Sequence, residues 1–212
     1  MRSSEPGTGA RLGAVREYYE ELWERLPAEL EPPDFILRRD FMLARTKPED
    51  RALDLGCGAG AFTAELARDG VLVVGVDVAQ AALRRARERH PSLDFRWTPI
   101  DGPLPFPDSG FDLVWASEVI EHVADTARWL SELRRVLPPS GRVLLTTPSH
   151  GRLRLAFGGI ERFSEPLGEH LHLYTSRSLE RLLLEFGFRE VAIRSVAGPP
   201  LLRRMLLAAA VR

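Results

Sequence analysis

Short apolar runs alternate with helical patterns along most of the chain after residue 50. Five of these runs are rich in valine, leucine and phenylalanine and have the length of strands: Arg51–Leu55, Val71–Val76, Leu93–Trp97, Phe111–Ala116 and Arg142–Thr147. Apolar positions repeat every three or four residues in three further segments, which predicts helices: Ala61–Arg68, Ala79–Arg89 and Ala124–Leu137. This alternation predicts an α/β fold in which a mostly parallel sheet carries helices on both faces.

The end of the chain adds one helix and two strand candidates. A helical pattern covers Ser176–Phe186 and stops at Gly187, and a strand pattern follows at Phe188–Ser195. Residues 205–211 fit a strand or a helix, because the three consecutive alanines in that segment favour a helix. We predict a strand, since it supplies an antiparallel neighbour for Phe188–Ser195. The doubly wound sheet then has seven strands.

The N-terminal region has a helical pattern and no strand pattern. Apolar and aromatic side chains recur at helical spacing within residues 13–47, which predicts a helical lead-in or cap. Residues 1–12 contain serine, glycine, proline and threonine and no apolar run, which predicts a disordered tail. The main domain then covers residues 48–212, and within it 148–175 forms a long connection that we predict to be an acceptor-side loop.

Composition and charge exclude several classes of protein. The formal net charge is -1, so no global field draws the chain to nucleic acid or to anionic lipid. The local basic cluster Arg84–Arg89 is predicted to be a solvated helix face. No apolar run approaches the ~18 residues of a membrane-spanning helix, and no signal peptide is recognisable at the N-terminus. The sequence therefore predicts a cytoplasmic protein without a transmembrane segment.

The lysine and cysteine content excludes several kinds of catalytic and binding site. All 29 basic residues except Lys47 are arginines, and Lys47 precedes Pro48. A P-loop, a Schiff-base lysine and the Tyr-x-x-x-Lys pair of many dehydrogenases therefore lack their lysine. The single cysteine, Cys57, cannot form an internal disulfide.

A glycine-rich turn joins the first predicted strand of the sheet to the next predicted helix: Asp54-Leu55-Gly56-Cys57-Gly58-Ala59-Gly60. Glycines at alternate positions allow a sharp turn and a close approach of the backbone to a ligand. Asp77 ends the second strand, where a carboxylate accepts hydrogen bonds from the hydroxyls of a ribose. A dinucleotide site usually has Gly-x-Gly-x-x-Gly without an acidic residue before it, so a nucleotide-binding oxidoreductase is the weaker interpretation.

Together with four further motifs, this turn resembles the class I S-adenosylmethionine-dependent methyltransferases. Within that family, the chain resembles small-molecule enzymes of the ubiquinone-pathway O-methyltransferase group. The motifs are Ala52 to Gly60, Gly75-Val76-Asp77, Pro103 to Asp108, Phe111-Asp112-Leu113-Val114 and Glu118-Val119-Ile120-Glu121-His122. The resemblance runs from about Asp50 to Gly187 and implies a Rossmann-like sheet with S-adenosylmethionine as cofactor.

The resemblance assigns nine residues to the cofactor: Asp54, Gly56, Cys57, Gly58, Gly60, Asp77, Val78, Asp101 and Ser117. The glycine turn and the aspartate before it would face the amino acid part of the cofactor. Asp77 would bind the ribose, while Val78 and Asp101 would lie at the adenine. Cys57 fills a small position in the turn and needs no redox role.

Glu118, Glu121 and His122 directly follow the fourth predicted strand, and a helix beginning there would place them on one face. Two carboxylates and an imidazole suit Mg2+ or Mn2+, with His170 as a fourth candidate ligand. The ubiquinone-pathway enzymes and the RNA 3'-terminal ribose 2'-O-methyltransferases both carry Glu-x-x-Glu-His at this point. Many small-molecule methyltransferases carry the same motif without a metal, so both interpretations stay open. His122 and His170 are also the candidate catalytic bases.

These observations predict a methyltransferase that acts on a small-molecule acceptor. O-methylation is favoured, and N- and C-methylation stay open. A metal-dependent RNA ribose 2'-O-methyltransferase is an alternative, although the net charge of -1 argues against nucleic acid as a partner. A non-catalytic S-adenosylmethionine-binding module is another, but it would not need the acidic and histidine residues of the acceptor side.

Overall fold

The computed structural model describes residues 8–99, 102–151, 170–199 and 202–212. Seven strands form one sheet: β1 (Arg51–Leu55), β2 (Leu72–Asp77), β3 (Asp94–Trp97), β4 (Leu113–Ser117), β5 (Arg142–Pro148), β6 (Arg189–Val196) and β7 (Met205–Val211). The helices of the described ranges are α1 (Thr8–Arg25), α2 (Phe35–Leu43), α3 (Ala61–Arg68), α4 (Gln80–Arg89), α5 (Thr126–Val136) and α6 (Ser176–Glu185). A 3₁₀ turn at Ile120–His122 comes after β4.

The strand order is β3-β2-β1-β4-β5-β7-β6. β7 runs antiparallel to β5 and β6, and the other neighbouring pairs are parallel. The predicted seven-stranded, mostly parallel sheet is therefore confirmed, and residues 205–211 form a strand. Because the chain leaves β1 in one direction and returns to β4 in the other, the carboxyl ends of these two strands flank a crevice that can hold a ligand.

The central strands are buried because helices cover both faces of the sheet. On one face, side chains of β4 and β5 pack with α5 and α6 in the larger core cluster. On the other face, the fully buried Trp115 contacts two aromatic rings, with its centroid 5.2 Å from that of Phe62 and 6.3 Å from that of Phe41. These contacts tie α2 and α3 to the strand that ends at the crevice.

Helix α1 begins earlier than the sequence pattern predicted. It starts at Thr8, so residues 8–12 are helical and the predicted tail of residues 1–12 is wrong for them. Among the helices in the described ranges, neither α1 nor any other is long and apolar enough to cross a membrane.

Contacts at the helix ends attach α1 to α4. The Glu20 carboxylate on α1 accepts hydrogen bonds from the first two backbone amides of α4, at 2.6 and 2.8 Å. Arg85 on α4 donates to the carbonyl groups of Leu26 and Pro27 at the end of α1, at 2.8 and 3.1 Å. Each helix therefore satisfies backbone groups that the other leaves unpaired. The prediction that Arg84–Arg89 form a solvated face is wrong for Arg85.

Replacing Glu20 with alanine is expected to lower the free energy of unfolding by about 1 kcal/mol, because it removes the acceptor that caps α4. Chemical denaturation measures this change. Glu21→Ala is the matched control, since Glu21 is exposed and its carboxylate pairs with the exposed Arg25. Equal losses in the two variants would contradict a capping role for Glu20.

Candidate functional site

A cavity of about 340 Å³ opens at the carboxyl ends of β1, β2 and β4. Eight of the residues predicted for the site line it: Gly56, Cys57, Gly58, Asp77, Val78, Ser117, Glu118 and His122. Four other predicted residues are absent from its wall: Asp54, Gly60, Glu121 and His170. Asp101 lies outside the described residues. The volume falls in the range of small-molecule sites.

The glycine turn forms the floor of this cavity. Gly56 and Gly58 have φ angles of +78° and +54°, in the left-handed region that favours glycine. A Cβ on Gly58 would lie 2.7 Å from the indole ring of Trp23, and one on Gly56 would lie 2.5 Å from a methyl carbon of Val119. Both positions therefore require glycine, and α1 lies over the turn through Trp23.

Asp77 holds the turn and also faces the cavity. One carboxylate oxygen accepts from the backbone amide of Gly58 and the other from that of Ala79, both at 2.9 Å. Burial raises the pKa of Asp77, although these amide hydrogen bonds oppose the rise. Each oxygen retains a second lone pair, so the carboxylate can still accept hydrogen bonds from a ligand.

Asp54 and Gly60 support the turn from behind the cavity wall. The Asp54 carboxylate accepts a hydrogen bond from the Thr63 hydroxyl at 2.6 Å, and burial raises the pKa of Asp54 to about 7. Gly60 directly precedes α3 with φ +82°, and a Cβ there would lie 2.7 Å from the ring of Phe95. Burial likewise raises the pKa of the Cys57 thiol, which keeps it protonated.

Arg38 on α2 lines the cavity, although no sequence motif predicted it. It is 4% exposed; its guanidinium lies 3.4 Å from a Glu118 carboxylate oxygen and donates to the Ser117 hydroxyl at 3.3 Å. Within the described ranges, nothing accepts a hydrogen bond from its Nε. A buried guanidinium with an unused donor suits a carboxylate ligand. The only signal in the sequence was the Arg38-Arg39 pair, and Arg39 binds Asp40 instead.

The chain leaves β4 through a left-handed residue and a short turn. Glu118 has φ +56°, and the chain then makes a single 3₁₀ turn at Ile120–His122. No helix begins at Glu118, so the condition under which Glu118, Glu121 and His122 would share one helical face is not met. Glu118 instead faces Arg38 and accepts a hydrogen bond from Thr146 at 3.3 Å.

Glu121, His122 and His170 come together beside the cavity. One potential ligand atom from each lies within 4.8 Å of the others, and Glu118 is not part of this group. The fully buried Glu121 accepts a hydrogen bond from Thr147 at 2.9 Å, and its other oxygen lies 3.9 Å from Nε2 of His122. Burial, followed by the nearby Glu118 carboxylate, raises the pKa of Glu121 well above its ordinary value.

Comparison with known proteins identifies the family. The family described as "Methyltransferase domain" matches residues 17–193. A probable S-adenosylmethionine-dependent methyltransferase of Mycobacterium tuberculosis is 31% identical over 187 residues, which cover 86% of this chain and 66% of that protein. The ubiquinone biosynthesis O-methyltransferase of Hahella chejuensis is 36% identical over 132 residues, which cover 59% of this chain and 56% of that protein. The chain therefore spans only part of the length of each relative.

A solved structure shares the same fold. The crystal structure of an S-adenosylmethionine-dependent methyltransferase from Mesorhizobium loti superimposes with a TM-score of 0.69 at 21% identity, over 84% of this chain and 97% of that one. The sheet order, the glycine turn and the family match all agree. This chain belongs to the class I S-adenosylmethionine-dependent methyltransferases.

Proposed function

We propose that this protein transfers the methyl group of S-adenosylmethionine to a hydroxyl group on a small molecule with an apolar body. One observation carries the proposal: a single cavity combines a glycine turn, a ribose-type carboxylate, a buried arginine and a histidine set beside an apolar wall. The glycine turn, the carboxylate and the arginine suit the methyl donor. The histidine and the apolar wall suit an acceptor with an apolar body and a hydroxyl group that must lose its proton.

The donor side is formed by the ends of β1, β2 and β4. Asp77 would accept hydrogen bonds from the ribose hydroxyls and Val78 would pack on the adenine. Arg38 would bind the carboxylate of the methionine part, because it is a buried cation in the wall of the same cavity as the glycine turn. S-adenosylmethionine, when bound, supplies a methyl group on a positively charged sulfur.

The acceptor side is apolar. Seven residues of α1 and of the segment after it contribute to the cavity wall: Tyr19, Leu22, Trp23, Leu26, Leu30, Pro32 and Pro33. Such a wall favours a ligand with an apolar body and a few polar groups. Long charged substrates fit poorly, because the arginines of the described cavity wall are limited to Arg38 and Arg128. The RNA alternative therefore gains no support.

Methyl transfer from a sulfonium is an in-line displacement, so the protein mainly aligns the two reactants and excludes water. A hydroxyl acceptor must also lose its proton. His122 lines the cavity, and its side chain is 23% exposed, which suits a general base. Its Nε2 lies 3.9 Å from an oxygen of the buried Glu121. This pairing favours an enzyme over a non-catalytic binding module, and O-methylation over other kinds.

A divalent cation at Glu121, His122 and His170 is a second candidate for the same step. The buried Glu121 oxygen nearest His122 has no hydrogen-bond partner among the described residues, and a Mg2+ or Mn2+ ion would provide one. Such an ion would lower the pKa of the acceptor hydroxyl. Among the described residues, three side chains are grouped as ligands here, and Glu118 pairs with Arg38 instead.

Calorimetric titration with S-adenosylmethionine and S-adenosylhomocysteine tests the donor site, before and after treatment with a chelator. Release of S-adenosylhomocysteine in the presence of a panel of phenols and of matching anilines tests the acceptor class. We expect binding of both donor compounds and turnover with phenols alone. Absence of donor binding, or turnover with anilines alone, would overturn the proposal. Turnover unaffected by the chelator would exclude the metal.

Replacing Arg38 with methionine is expected to raise the Kd for S-adenosylhomocysteine by tenfold or more, because about 1.5–3 kcal/mol of charged hydrogen bonding is lost. The Kd for 5'-methylthioadenosine, which lacks the carboxylate, should change by less than about twofold. Calorimetry measures both constants. Arg39→Met on the same helix is the control, and equal losses for the two ligands would contradict the carboxylate assignment.

A further inference from the structure

His150 lies just beyond β5 and is fully buried. Two hydrogen bonds join it to Tyr174, which is 24 positions further along the chain. The His150 amide donates to the Tyr174 carbonyl at 2.8 Å, and the Tyr174 amide donates to Nδ1 of the imidazole at 3.1 Å. The backbone and side chain of His150 therefore hold together the two ends of the connection between β5 and α6. We call this pair of hydrogen bonds the clasp.

The hydrogen bonds also define the state of the His150 ring. A nitrogen that accepts a hydrogen bond from an amide carries no proton, so the neutral ring has its proton on Nε2. Tyr174 itself is buried in the larger core cluster, so the clasp is attached to the core of the domain. The pair thus forms a fixed point at the end of the acceptor-side connection.

His170 lies between this fixed point and the cavity. Its ring centroid is 5.6 Å from that of His150 and 5.2 Å from that of His122, with interplanar angles of 81° and 72°. The segment that carries His170 has a second attachment. His172 donates its amide to the Glu121 carbonyl at 3.1 Å, and its Nε2 lies 2.9 Å from the Val123 carbonyl oxygen.

We propose that His150 is a positioning residue for the acceptor-side base: by clasping Tyr174 it holds His170 against His122. This inference rests on the proposed function, in which His122 takes the proton of the acceptor. His150 does not line the cavity in which the two reactants would bind. Its effect passes through the backbone of Tyr174 and the ring of His170. A base that is already held in the reactive orientation reacts faster than one that must first rotate into that orientation.

Two substitutions distinguish the effect of the hydrogen bond to Tyr174 from the effect of the volume of the His150 side chain. The Oδ1 atom of asparagine can accept from the Tyr174 amide in place of Nδ1, so His150→Asn retains the clasp. His150→Leu fills a similar volume without an acceptor. We expect His150→Leu to lower kcat with the phenol acceptors by about tenfold or more, with KM and the Kd for S-adenosylhomocysteine unchanged. His150→Asn should stay within about threefold of the parent kcat.

Nitrogen-15 NMR of the histidine side chains tests the clasp without turnover. In the unsubstituted protein at pH 7.5, His150 should show an unprotonated Nδ1 and a protonated Nε2. The His170 and His122 signals should move in His150→Leu and stay near their parent positions in His150→Asn. A protonated Nδ1 on His150, or equal kcat losses in the two variants, would overturn the proposal. Lack of turnover with any phenol would refute the proposed function instead, and the NMR result would still decide the clasp.

Discussion

The Asp77→Asn variant is expected to bind S-adenosylhomocysteine about fivefold to 150-fold more weakly, a loss of about 1–3 kcal/mol. The carboxylate ends β2 inside the cavity wall and is 7% exposed, so its hydrogen bonds to a ribose would form away from bulk water. An asparagine offers one oxygen in place of two. Its amide group would also face one of the two backbone amides that now donate to the carboxylate. Calorimetric titration measures the change in Kd.

Asp94→Asn is the matched control for this substitution. Asp94 begins the neighbouring strand β3 at the end away from the cavity, and its carboxylate pairs with the exposed Arg96. Thermal denaturation of both variants shows whether the glycine turn still folds, since Asp77 also accepts from Gly58. If Asp77→Asn binds S-adenosylhomocysteine as tightly as the parent protein, the assignment of Asp77 to the ribose is wrong.

Replacing His122 with glutamine is expected to lower kcat for hydroxyl acceptors by about 10²–10⁴-fold, the usual effect of removing a general base. The Kd for S-adenosylhomocysteine should stay unchanged, because in the proposed function the imidazole would act on the acceptor and not on the donor. The two measurements are steady-state turnover with the best phenol and calorimetric titration. The separation of the two effects is the informative result, since a disturbed cavity would change both.

His90→Gln provides the control for His122→Gln. His90 comes directly after α4, and its ring packs near Phe95, outside the cavity wall. We expect its turnover to match that of the parent protein. A His122→Gln variant with full kcat would remove the general-base role and leave desolvation and alignment as the contributions of the protein.

The fold was predictable because local patterns and the sheet agree. Each predicted strand lies within a few residues of the observed one, and Ala61–Arg68 coincides with α3. The strands β4 and β5 are almost wholly buried. Continuous apolar runs, in which apolar and polar residues do not alternate, therefore correspond to the central strands of the sheet. The start of α1 was missed because glycine and threonine at residues 7–9 weaken the helical pattern there.

The candidate site was predictable only where it lies at the strand ends. The glycine turn and Asp77 lie on such ends, and the cavity contains both. Arg38 could not be distinguished from Arg39 by pattern, because only the packing of α2 decides which side chain is buried. The role proposed for His150 depends on a contact with a residue 24 positions away, which no local pattern contains. The conformation of the chain after β4 depends on the left-handed backbone of Glu118, which no sequence pattern predicts.

At that residue, Glu118, the backbone conformation and the side-chain contact make opposite demands. A left-handed backbone costs a non-glycine residue about 1–2 kcal/mol, so glycine would be the easier residue for the backbone alone. Glycine would also leave the buried Arg38 without its carboxylate partner. Leaving a buried charge unpaired costs about 3–5 kcal/mol, which is more than the backbone would gain. A substitution chosen to relieve the strained backbone would therefore lower the stability that it was meant to raise.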